Sequence, residues 1–178
     1  MFQYTKEILL RHGYAGFHFG LLAEKLNITR EALYKYFKNK DDLITEFMVA
    51  EMEIFLTALQ KINEFPTFTE GLDYLLSTIS QYNKIHQILN LAFNIQNHTN
   101  ERVGNNLKKL NQYHMAMYKK LNAFIQLGKD DHVLKQNIPN DIILGFIFHT
   151  VSIPNHQNIS ESEWLKAIKE LICHGIYK

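Results

Sequence analysis

The chain has 178 residues, 46% of them hydrophobic, which suffices for one or two compact units with a substantial core and excludes disordered and fibrous classes. Eight Gly and three Pro favour helices joined by short turns over a β-sandwich, and a single Cys, Cys173, excludes an intramolecular disulfide framework and any multi-cysteine metal site. A formal net charge of +1 offers no global electrostatic argument for a nucleic-acid partner.

Taken in chain order, the apolar spacing is helical almost throughout. A first helix runs from Phe2 to His12 and ends at Gly13. A second, Phe19 to Leu26, sets Leu22 and Leu26 four apart beside the small Ala23, and Asn27 then stands where a helix end needs a residue tolerant of the left-handed conformation. Thr29 is placed to cap a third helix through Tyr36, with Leu33 and Phe37 on its buried face. Asn39 caps a long fourth helix, whose first turn holds Asp41 and Asp42 and which runs to about Asn63. Its expected buried stripe is Leu43, Phe47, Ala50, Ile54 and Ala58. Pro66 stops it.

The pair Thr67 and Glu70 forms a capping-box signal for a helix to Tyr82, followed by another from Lys84 to Asn97. The Asn-rich stretch from His98 to Asn106 reads as a loop or the frayed start of a long helix that reaches Leu127 and is closed by Gly128. Beyond a polar connection and Pro139, Ile142 to Val151 is apolar on nearly all sides, and Ser160 with Glu163 opens a last helix. The total is about nine helices in an all-α fold. The domain boundary falls inside the fourth helix, dividing the chain into 1–47 and 48–178.

Local charge is uneven. From Phe17 to Lys40 there are five basic residues (Lys25, Arg30, Lys35, Lys38, Lys40) and two acidic ones (Glu24, Glu31). In the same stretch stand Leu22-Ala23, the turn Asn27-Ile28-Thr29, and then Leu33-Tyr34-x-Tyr36-Phe37-x-Asn39-Lys40-x-x-Leu43. This pattern resembles the N-terminal domain of the TetR family of transcriptional regulators, and the N-terminal quarter of the chain carries it. The resemblance implies a three-helix helix-turn-helix domain followed by a C-terminal helical bundle for effector binding and dimerisation. The third helix is then a recognition helix, whose first turn meets base edges in the major groove. Arg30 is suited to a bidentate contact with guanine, Glu31 and Ala32 to cytosine or a thymine methyl, and Lys35 to a base or phosphate. By resemblance, Thr29, Tyr34, Tyr36 and Lys40 touch the DNA backbone. Family members usually carry Thr or Ser near the start of the second helix, where His18, Phe19 and Gly20 stand here, so a weakened cap is expected. Many members also begin further upstream, which implies that the first helix is truncated or that the true start precedes Met1.

The partners this reading implies are a double-stranded operator, a small effector and a second copy of the chain. Candidates to line an effector cavity are Phe55, Leu59, Tyr82, His86, Phe93, Tyr113, Met117 and Phe124, with Gln87, Asn90 and Asn94 as polar groups; aromatic and Met side chains with few charges suit a mostly apolar or aromatic ligand. Operator symmetry calls for two recognition helices about 34–36 Å apart, hence a homodimer. Ile143, Phe146, Ile147 and Thr150, with Trp164, Ile168, Leu171 and Ile172, are the candidates for a four-helix interface.

No cofactor or metal is implied: His98, His114, His149, His156 and His174 lie on separate segments, and Asp130, Asp131 and His132 sit in a connection expected to face water. The longest apolar run, Ile142 to Phe148, is too short for a bilayer, and the N-terminus has no secretory pattern, so a cytoplasmic location is expected. Two rival readings remain. One is a dimeric ligand-binding or protein-interaction module of the same fold that has lost DNA binding. The other is a small helical enzyme, for which the sequence has no nucleophile–base pair, phosphate loop or metal-ligand spacing.

Overall fold

A computed structural model describes residues 1–89, 95, 100–156 and 158–176. These residues form eight α-helices and one 3-10 turn, with no β-strand among them: α1 (Phe2–Gly16), α2 (Phe19–Leu26), α3 (Arg30–Tyr34), α4 (Lys40–Gln60), the 3-10 turn Lys61–Glu64, α5 (Phe68–Leu89), α6 (Glu101–Asp130), α7 (Asn140–Val151) and α8 (Glu161–Ile176).

Local chemistry sets most of the helix ends. Gly13, at φ 66°, breaks α1 just where its apolar pattern stops. The Thr67 hydroxyl accepts from the Glu70 amide at 3.2 Å and donates to the Glu70 carboxylate at 3.1 Å. The Ser160 hydroxyl likewise accepts from the Glu163 amide at 3.3 Å and donates to its carboxylate at 2.7 Å. At Ser160 the backbone amide also donates to the Glu163 carboxylate at 3.3 Å, which completes a capping box. Asn100 caps α6 by accepting from the Val103 amide at 3.0 Å.

Three expectations about helix bounds and faces are corrected. No break separates Tyr82 from Lys84; α5 runs on to Leu89, because Asn83 is neither a chain breaker nor idle, accepting from the Ser152 hydroxyl at 3.5 Å. Gly128 does not close α6, which continues to Asp130 and is followed by His132 at φ 58°. A Cβ at Gly128 would lie 2.6 Å from the Phe68 ring, so this glycine is required by close packing. The buried stripe of α4 is also rotated from the expected one. Leu43, Ile44, Phe47, Met48, Met52, Phe55 and Leu59 are buried, whereas Ile54 is 52% exposed and Ala50 and Ala58 are half-buried.

The chain divides into two compact units, one of residues 1–54 and 84–113, the other of residues 55–83 and 114–178. The first has a core of Ile8, Leu9, Phe17, Leu22, Leu33, Phe37, Leu43, Phe47 and Met48, with Phe2 edge-on to Phe47 at 5.7 Å. The second packs Leu59, Leu72, Leu75, Leu121, Ile125, Ile143, Ile147 and Ile172. Within it, Lys169 of α8 pairs with Asp73 of α5 at 2.6 Å.

Candidate nucleic-acid interface

Helices α2 and α3 are joined by a tight turn whose conformation follows from three residues. Asn27 ends α2 in the left-handed region at φ 53°, and the Ile28 amide reaches back to the Ala23 carbonyl at 3.0 Å. The Thr29 hydroxyl then accepts from the Ala32 amide at 3.3 Å and starts α3. Leu22 and Ala23 from α2 and Leu33 and Phe37 from α3 and its last turn are all buried, which fixes the two helices against each other. Phe19 and Tyr34 add a ring contact at 5.0 Å.

The α2 start does keep a side-chain cap. His18 Nδ1 accepts from the Leu21 amide at 3.4 Å, a long bond, in the role that Ser or Thr would fill. Gly20 completes the arrangement, because a Cβ there would lie 3.0 Å from His18 Nδ1. The departure His18-Phe19-Gly20 is therefore a matched substitution: the ring needs the space that Gly20 leaves.

The opposite side of α3 faces solvent. Thr29, Arg30, Glu31, Tyr34, Lys35 and Tyr36 are exposed, with Tyr36 at 72%, and Ala32 is half-buried. Glu31 is held below the usual carboxylate range by its own backbone amide and then by the Thr29 hydroxyl, so it stays an anion on this face. Two cations, Arg30 and Lys35, and two tyrosine hydroxyls share the surface with it.

Lys40, by contrast, is already engaged. Its ammonium donates to the Tyr14 carbonyl at 2.9 Å and lies 4.1 Å from the centre of the Tyr14 ring. The Tyr14 hydroxyl donates to Asp41 at 2.5 Å, and partial burial followed by this carboxylate pushes its pKa up to about 12. Sequence reasoning missed Tyr14, whose partners lie 26 and 27 positions away.

Residues 4–47 match the sequence model of bacterial regulatory proteins of the tetR family. The N-terminal domain belongs to the TetR family. No curated protein matches the chain. Among solved structures, the whole chain has the fold of TetR-type transcriptional regulators. It is similar to the ketosteroid transcriptional regulator KstR2 of Mycobacterium tuberculosis, with a TM-score of 0.77 and 13% identity over 99% of this chain and 93% of that one. It is also similar to the TetR family transcriptional regulator PfmR from Thermus thermophilus, with a TM-score of 0.75 and 15% identity over 97% and 96%. A third is the regulator FadR from Bacillus subtilis in complex with stearoyl-CoA, with a TM-score of 0.68 and 19% identity over 98% and 97%.

Outside the TetR-family domain, the expected effector residues do not all come together. Phe55, Leu59, Tyr82, Met117 and Phe124 belong to the second unit. There Phe55 meets Tyr82 edge-on at 5.3 Å, and Phe124 stacks on Phe68 at 4.6 Å. Tyr113 belongs to the first unit, where its hydroxyl bonds Glu53. Phe93, Asn90 and Asn94 lie outside the described residues, as do the side chains of His86 and Gln87. A groove of about 550 Å³ is instead present in the TetR-family domain, lined by Glu7, Ile8, Arg11, His12, Leu21, Glu24 and Lys25, and shares none of these residues.

The expected interface residues divide by face. Ile143, Ile147, Thr150, Ile168 and Ile172 are buried within the chain itself, and the Thr150 hydroxyl is spent on the Phe146 carbonyl at 2.6 Å. Phe146 and Leu171 are exposed, Trp164 is half-buried, and Ile142 and Ile153 join them as exposed apolar side chains that the sequence reading left out. Among the described residues no helix is long and apolar enough to cross a membrane, and no group of His, Cys, Asp and Glu could hold a metal ion.

Proposed function

We propose that the protein is a ligand-responsive transcriptional regulator of the repressor type that binds a palindromic operator as a homodimer. The observation that carries this reading is the solvent face of α3, where Arg30, Glu31, Tyr34, Lys35 and Tyr36 stand clear of a helix pinned by buried Leu33 and Phe37. Arg30 reads guanine, Glu31 accepts from cytosine and Ala32 meets a thymine methyl, while Thr29, Tyr34, Tyr36 and Lys35 hold phosphates. The retained His18 cap favours this over a module that has lost DNA binding.

Dimerisation uses the apolar face that α7 and α8 leave in water: Ile142, Phe146 and Leu171, flanked by Trp164. The effector is a small, mostly apolar or aromatic molecule in the second unit, among Phe55, Leu59, Tyr82, Met117 and Phe124. Two similar proteins, named for a ketosteroid and solved with stearoyl-CoA, support that ligand class. Because α4 contributes to both units, a ligand that favours one tilt of α4 changes the spacing of the two recognition helices and weakens operator binding.

Selection from random or genomic DNA with the purified protein, followed by binding to the enriched sequence over a salt series, tests the reading. The expected result is a palindromic site. Arg30→Ala should relax its preference at one base pair per half-site at a cost of about 1–3 kcal/mol, whereas Lys35→Ala should make the salt dependence shallower by about one unit. Enrichment of no sequence would overturn it.

A further inference from the structure

The end of the recognition helix is held by a residue from outside the TetR-family domain. Arg102 stands in the first turn of α6, a poor place for a cation, because the partial positive charge of a helix N-terminus disfavours it. Across from it lie three acceptors and an aromatic ring. Its Nη1 donates to the Tyr36 carbonyl at 2.8 Å, just past the last turn of α3, and its Nη2 donates to the Glu46 carboxylate. Its Nε lies 3.4 Å from Asp42 Oδ1, and its guanidinium sits 5.1 Å from the centre of the Phe37 ring.

Asp42 makes this cation consequential. The residue is 1% exposed; its Oδ2 accepts from the Lys38 amide at 3.0 Å in the turn after α3, and its buried Oδ1 accepts no hydrogen bond among the described residues. A buried carboxylate without a nearby opposite charge is costly, and Arg102 supplies that charge. One helical turn along α6, Asn106 donates to the buried Thr45 hydroxyl at 3.1 Å, and a turn further on Lys109 pairs with Glu53 at 2.7 Å. These contacts keep the start of α6 in register with α4, so that the guanidinium meets the Tyr36 carbonyl. All of these residues belong to the first compact unit.

We propose that Arg102 is a positioning residue for DNA recognition: bound at once to Tyr36, Asp42 and Glu46, it fixes the turn that follows α3 and hence the angle at which Arg30, Lys35 and Tyr36 are presented. This rests on the reading of α3 as a recognition helix. Residues 1–47 alone lack this cation, so the geometry of the reading surface depends on where α6 begins.

The test uses the full-length protein with Arg102→Met, Arg102→Lys and the double change Asp42→Asn with Arg102→Met. Arg102→Met should weaken binding to the selected DNA by about tenfold or more, the scale of a lost hydrogen-bonded charge. It should also speed amide exchange at Phe37 and Lys38 by about tenfold, leaving the α8 amides unchanged. Arg102→Lys, with one point charge for a fork, should recover part of both. The double change removes the uncompensated carboxylate, so thermal stability should return while DNA affinity stays low. That split separates positioning from mere stabilisation. The salt dependence should match the wild type; a slope shallower by about one unit would make Arg102 a phosphate ligand and overturn the proposal. Unchanged affinity and unchanged exchange would also overturn it. If the wild type itself enriches no DNA, the regulator reading has failed, and exchange at Phe37 and Lys38 alone decides whether the turn is held by Arg102. Should Arg102→Met not fold, the comparison of Arg102→Lys with the double change decides in the same way.

Discussion

The surface of α3 and the surface of α7 and α8 are both left in water, yet they are built oppositely. On α3 the exposed side chains are Arg30, Glu31, Lys35 and two tyrosines; on α7 and α8 they include Ile142, Phe146 and Leu171, at 63%, 37% and 52% exposure. Charges and tyrosine hydroxyls suit a partner recognised by phosphates and base edges. Apolar area on a helix pair whose buried face is already filled by Ile143, Ile147, Ile168 and Ile172 suits a partner recognised by desolvation. The two surfaces should therefore respond to different perturbations.

The largest expected effect removes the support of one surface and leaves the other alone. Phe37→Ala empties a buried site beneath α3 and should cost about 3–5 kcal/mol, measured by urea denaturation, with the oligomeric state of the folded fraction preserved. In the second unit, Gly128→Val drives a side chain into the Phe68 ring and should cost about 1–3 kcal/mol in the same measurement, with the α3 face untouched. Leu171→Glu places a charge in the apolar face. Sedimentation should show a shift towards monomer at unchanged helicity by circular dichroism, and loss of operator binding should follow because two linked half-sites are no longer engaged. A dimer that withstands Leu171→Glu would assign that face to another partner.

Smaller effects sharpen the comparison within the TetR-family domain. Thr29→Ala should cost about 1 kcal/mol by loss of a cap, and His18→Ala less, since its bond to the Leu21 amide is long. A further effect, confined to alkaline pH, is a pH dependence. The folded state raises Tyr14 from 10.0 to about 12 by burial and its bond to Asp41. Folding thus favours the neutral phenol, and the contribution is intact below pH 10 and lost as the pH rises from 10.0 towards about 12. Tyr14→Phe should flatten stability against pH in that window and change little near neutrality, as thermal melts across the range would show.

Much of the fold was legible because its signals are short. The hydroxyl caps of Thr67 and Ser160, the Gly13 break and the turn at Asn27 and Thr29 involve residues no more than a few positions apart, and each formed as expected. The α4 stripe was misread for a different reason. Leu43–Phe47–Ala50–Ile54–Ala58 and Ile44–Met48–Met52–Phe55–Leu59 both satisfy a helical period, and nothing local separates them. Within the candidate interface, the exposed positions of α3 could be read from its motif, but Lys40's engagement with Tyr14 could not.

By itself, the amino-acid sequence determined an all-helical chain, the helix-turn-helix and the residues it presents, since propensity, capping and periodicity act over a turn or two. Tertiary structure alone decided which side of α4 is buried, why Gly128 must be glycine, and which of the apolar residues on α7 and α8 stay in water. It also brought Arg102 to the turn that follows α3, 66 positions from the carbonyl it binds. Such pairings depend on how helices pack, and packing is decided by the summed fit of many distant side chains rather than by any short pattern.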